Sequence, residues 1–162
     1  MKRPATTAAL IDEYVARGVF RAMALPSDKS GSEIFRIVWF RNQTMGLEVD
    51  ARRGRVRLSD VLPPVAPRSK LYRDLRAWLR SREAPELPAH RRIDPAQFRT
   101  AFRISGGSVQ LVITGETGDT TLGARKLLHL ANELYLDFLA APERYEWILE
   151  AFDLDPDHPR WP

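Results

Sequence analysis

The chain has 162 residues, a length that suits one ordinary domain. Its apolar share of 44% and charged share of 28% exclude disorder throughout, and no stretch nears the roughly 18 apolar residues of a membrane span. With no cysteine it has no disulfide, thiolate metal site or cysteine nucleophile. The basic start Met1-Lys-Arg-Pro4 is interrupted by Asp12 and Glu13, so no secretory leader is expected and cytoplasm is the default compartment.

The net charge is +4, carried by 21 arginines and only 4 lysines, with a pI of about 9.8. The charge is unevenly spread. Residues 1–50 sum to +1, residues 51–103 to +9 and residues 104–162 to −6. A basic middle suits a nucleic acid, an anionic surface or an acidic protein partner; it also suits contact with the chain's own acidic end.

In chain order, Thr6 to about Arg17 reads as a helix with Leu10, Ile11, Tyr14 and Val15 on one stripe, ended by Gly18. Residues 19–25 fit helix or strand, and strand is the reading kept. Glu33 to Arg41 is a strand rich in β-branched and aromatic residues. A hairpin turning at Arg53-Gly54 would set Ala51 opposite Val56, Val49 opposite Leu58 and Asp50 opposite Arg57. A second hairpin turning at Gly106-Gly107 would pair Ile104 with Val109, Phe102 with Leu111 and Thr100 with Ile113.

Proline-rich connections at 61–67 and 83–88 flank a helix over 69–83, whose Leu71, Leu75, Trp78 and Leu79 face inward. Asp119 or Thr120 caps a long helix reaching about Ala140, with Leu127, Leu130, Ala131, Leu134 and Phe138 inward. Pro142 opens a last helix to Phe152 with Tyr145, Ile148, Leu149 and Phe152 on its inward stripe, and residues 153–162 form a proline-rich tail. Together these predict one α+β domain over 1–162, an antiparallel sheet of five to six strands packed by helices. The order is α-β-β-β(-β)-α-β-β-α-α, since runs of adjacent strands argue against βαβ units.

That element order, over about residues 5–140, resembles the type III secretion chaperones. The resemblance implies a non-catalytic, homodimeric binding protein, although those chaperones are acidic and this chain is basic.

Three constellations are candidates for function. Arg52, Arg53 and Arg55 crown the first hairpin, and Arg73, Arg76 and Arg80 form one stripe on the helix over 69–83; either set suits anions, and both suit phosphates. His129, Glu133 and Asp137 follow at turn spacing, a weak metal or acid–base signal that an exposed mixed-charge face with Lys126 also explains. His90 and His158 lie in proline-bearing loops. Trp147 and Leu136 fall opposite their helices' apolar stripes and Trp161 nears the carboxyl end, so they suit a partner surface, unless the tail folds back and Trp161 covers Trp147. Gly115 to Asp119 reads as a turn and cap, and Asp153 to Asp157 lacks the glycine and glutamate of a calcium loop. No cofactor motif is present.

The leading expectation is a non-catalytic adaptor that binds a protein partner or itself as a homodimer. Phosphate-backbone binding is the first alternative. An enzyme or metal site around His129 and Glu133 is the second.

Overall fold

The computed structural model describes residues 6–116, 118–157 and 161. Helix α1 (Thr7–Ala16) begins where Thr6 Oγ1 accepts the Ala9 N–H at 3.1 Å. Four strands follow, β1 (Arg21–Leu25), β2 (Glu33–Trp39), β3 (Gln43–Asp50) and β4 (Arg55–Ser59), so the ambiguous segment after α1 is a strand. Helix α2 (Lys70–Ser81) is capped by Ser69, and β5 (Arg99–Ser105) and β6 (Ser108–Thr114) form the second hairpin. Helix α3 (Thr120–Glu133) runs into one π turn (Leu134–Phe138); a short 3₁₀ turn (Pro142–Arg144) then leads to α4 (Tyr145–Ala151).

All six strands join one antiparallel sheet in the order β1-β2-β3-β4-β6-β5, which gives the expected α+β class. The β5–β6 register is the expected one, with Ile104 opposite Val109, Phe102 opposite Leu111 and Thr100 opposite Ile113. Gly106 and Gly107 both take positive φ, as a two-residue hairpin turn requires.

The first hairpin differs from expectation. Val49 faces Val56, Leu47 faces Leu58, Glu48 faces Arg57 and Asp50 faces Arg55. The turn takes residues 51–54 rather than two, because the Asp50 carboxylate accepts the Arg53 N–H at 3.2 Å and Gly54 closes the loop at φ +61°. The pairing moves by an even number of residues, so the apolar side chains keep their face.

Phe35, Ile37, Trp39, Met45, Leu47, Val49, Val56, Leu58, Val109, Leu111 and Ile113 make that face, and all are buried. Helix α3 crosses β3, β4 and β6, with α1 beside it and α2 against β5. Leu127, Leu130, Ala131, Leu134 and Phe138 point into the core as their spacing predicts. In α1, Leu10, Ile11 and Tyr14 do so, but Val15 is exposed. Each fully buried leucine contributes about 2 kcal/mol of apolar transfer.

The 51–54 turn is also tied to the loop before α3. Gly54 O accepts the Gly115 N–H at 2.8 Å, and Ala51 O accepts the Gly118 N–H at 3.2 Å. A Cβ at Gly54 would lie 2.6 Å from Gly115 O, whereas a Cβ at Gly107, also at positive φ, meets nothing within 4 Å. Gly107→Ala is therefore expected to cost only the backbone strain, about 1 kcal/mol, and Gly54→Ala about 2 kcal/mol or more. Urea unfolding of the two variants checks this; equal losses would contradict the close approach.

Candidate functional site

The arginines divide by whether a carboxylate reaches them. At the hairpin tip, Arg53 lies 3.8 Å from Asp50, and Arg55 lies 3.8 Å from Glu48 and 3.9 Å from Asp50. Arg57 pairs with Glu48, not with Asp50 as the expected register had it. Only Arg52 of the three tip residues has no carboxylate within 4 Å among the described residues.

The α2 stripe is different. Arg73, Arg76 and Arg80 are exposed, and among the described residues none has a carboxylate within 4 Å. Arg73 donates to Arg68 O at 3.1 Å, and the Arg76 guanidinium lies 5.9 Å from the centre of the Tyr72 ring. Arg76 and Arg80, with Glu83 as the one carboxylate, line a groove of about 450 Å³ between α2 and Thr100, Ala101 and Phe102 of β5. Strand β5 ends the sheet, so one side of it pairs with no strand. Tyr72 Oη donates to Phe102 O at 3.1 Å and fills one place on that edge. The amphipathic spacing of α2 exposes the stripe in the sequence. The groove was not legible there, because it depends on which strand ends the sheet.

His129, Glu133 and Lys126 do not form an exposed face. They clamp the proline-bearing loop after α2. Arg82 Nη1 donates to Glu133 Oε2 at 2.9 Å and Arg91 Nε donates to Glu133 Oε1 at 2.7 Å. Lys126 Nζ donates to Ala89 O and to Arg92 O, both at 2.9 Å. His129 is half-buried, which pushes its imidazole below the ordinary value; a hydrogen bond to the His90 backbone opposes this, the charges of Arg125 and Lys126 lower it further, and Glu133 raises it. Asp137 lies 3.8 Å from Arg82 and is largely exposed. His158 lies outside the described residues.

His129 and Glu133 nevertheless share a concavity, a pocket of about 420 Å³ with Tyr14, Arg17, Trp39, Arg91 and Arg125. Both Glu133 oxygens accept from guanidinium groups, which suits a structural anion and leaves no free base. Among the described residues, no group of three His, Asp or Glu side chains is placed to hold a metal ion.

The aromatic residues form a chain of ring contacts. Tyr135 is fully buried, stacked on Phe40 at 4.1 Å and on Trp161 at 5.7 Å between centroids. Burial raises its phenol well above the ordinary value, and the hydroxyl lies 2.5 Å from Gln43 Oε1 and 2.7 Å from Val61 O. The π turn gives Trp161 its anchor. The Leu139 N–H reaches back five residues to Leu134 O, and Tyr135 O accepts the Trp161 indole N–H at 2.9 Å.

Trp161 therefore covers Tyr135 and Phe152; Phe152 stands between it and Trp147, with centroids 5.0 Å and 6.1 Å away. Trp147 is partly buried against this cluster instead of projecting outward, and Tyr145, expected inside, is 44% exposed. Leu136 is exposed as its position implied, at 50%.

Asp119 caps α3 through the Leu122 N–H at 3.5 Å, and Asp155 accepts the Asp157 N–H in a local turn, so both acidic segments have structural roles. Among the described residues no helix is long and apolar enough to cross a membrane. Set beside protein-family models, curated proteins and solved structures, the chain matches none of them.

Proposed function

We propose that the chain is a non-catalytic binding protein whose α2–β5 groove takes an acidic segment of a partner protein. The observation that carries this reading is the unneutralised stripe beside a free sheet edge. Arg76 and Arg80 line the groove and Arg73 extends the stripe, while the carboxylates Glu48, Asp50 and Glu133 are engaged by other arginines. An extended peptide can add backbone hydrogen bonds along such an edge while guanidinium groups select carboxylates. Leu136 offers a separate apolar contact; Trp147 and Trp161 present only their outer surfaces. Phosphate-backbone binding has less support, since Glu48 and Asp50 already meet Arg53 and Arg55 at the hairpin tip. Catalysis has less still, because Glu133 is held by two arginines.

The test uses a fluorescent peptide of about ten residues rich in Glu and Asp, with a single-stranded oligonucleotide as competitor. The peptide is expected to bind at low salt, and Arg76→Glu with Arg80→Glu to weaken it about tenfold or more. No binding at low salt would remove the proposal. Displacement by the oligonucleotide at equal or lower concentration would favour the phosphate reading instead.

The other end of the sheet supports the homodimer. β1 has no proline or lysine, pairs among the described residues with β2 alone and exposes 52% of Met23 at its centre. In the proposed dimer β1 pairs antiparallel with its copy about an axis through Met23. Met23→Lys would then set two ammonium groups opposite each other. Sedimentation equilibrium should give twice the 18.5 kDa chain mass for the wild type and a single mass for Met23→Lys. A single mass for the wild type would contradict the dimer.

A further inference from the structure

The pocket beside His129 combines an apolar floor with a cationic rim. Tyr14 and Trp39 are each 8% exposed and Leu128 is 1% exposed, so the floor belongs to the packed core. Arg17, Arg91 and Arg125 stand around it. Arg91 is neutralised by Glu133, but among the described residues neither Arg17 nor Arg125 has a carboxylate within 4 Å. The Arg17 guanidinium lies 5.8 Å from the centre of the Tyr14 ring, and that contact orients it. Besides Glu133, the remaining polar lining is His90, His129 and Asn132, which add further hydrogen-bonding groups. The volume of about 420 Å³ falls within the range of small-molecule sites.

From this arrangement we infer a second binding site, one for a small organic anion. Its flat apolar body would rest on Trp39 and Leu128, and its carboxylate or phosphate head would meet Arg17 and Arg125. Two unpaired guanidinium groups give a net positive rim, and forked donors suit either head. The site is independent of the α2 stripe, since none of Arg73, Arg76 and Arg80 lines it.

Calorimetric titration of the full chain with benzoate, phenyl phosphate, inorganic phosphate and benzyl alcohol tests the assignment. At least one of the two aromatic anions is expected to bind, and to bind more tightly than either inorganic phosphate or benzyl alcohol. Arg17→Gln with Arg125→Gln removes no ion pair, so the fold should persist, as circular dichroism would report, while affinity falls about tenfold or more. The Arg76→Glu, Arg80→Glu variant should bind these anions as the wild type does, which separates this site from the groove. Three results would each overturn the inference: no aromatic anion bound at millimolar concentration, inorganic phosphate or benzyl alcohol bound as tightly as the tighter of the two aromatic anions, or unchanged affinity in the Arg17, Arg125 variant.

Discussion

Glu133 is the point on which the arrangement of this protein turns. Its side chain is 15% exposed and that of Arg82 is 11% exposed, so both charges have lost most of their water and need each other. Through Arg82 it fixes the end of α2, and through Arg91 it fixes the loop that follows. Lys126, on an earlier turn of α3, holds the same loop by its carbonyls at Ala89 and Arg92. The polar side of α3 is therefore an internal seam. It joins α2, the proline-bearing loop and α3 where apolar packing alone would leave backbone carbonyls unsatisfied.

That seam also sorts the charges. Among the described residues the ion pairs between the basic middle and the acidic end at this seam are those of Arg82 and Arg91. Arg144 turns toward Asp74, and the hairpin arginines are answered by Glu48 and Asp50 of their own hairpin. Of the arginines that no carboxylate reaches among the described residues, two groups stand beside concave surfaces, on the outer stripe of α2 and on the rim of the pocket beside α1. The net charge of +4 is thus the remainder after local pairing. The arginines beside the two concave surfaces are the ones an anionic partner can meet with little displacement of existing structure.

The sequence carried much of the fold. Two glycines and strict alternation set the β5–β6 register, and apolar spacing set the inward faces of α2 and α3. Signals that depend on one side chain's partner were illegible. Asp50 could equally face Arg57 or close the turn, and its hydrogen bond to Arg53 decided the matter. Lys126, His129 and Glu133 have the spacing of a solvated face; only the return of the loop over α3 makes them a clamp. Trp147 fell on the wrong side of an ideal helix because α4 is short and Phe152 lies beyond its end. The π turn, which frees Tyr135 O for Trp161, leaves no mark in the apolar pattern. At the α2 groove the arginines were visible and the concavity was not; at the pocket beside α1 neither was, because Arg17 ends α1 and Arg125 lies on α3, helices that only the fold brings together.

The account stands or falls on Glu133 being a structural anion instead of a poised catalytic or metal-binding carboxylate. The direct measurement is the urea unfolding free energy of Glu133→Gln against the wild type, at neutral pH. Leaving Arg82 largely buried without its carboxylate should cost about 2 kcal/mol or more. A variant within about 0.5 kcal/mol of the wild type would contradict the account and return Glu133 to the list of candidate catalytic groups.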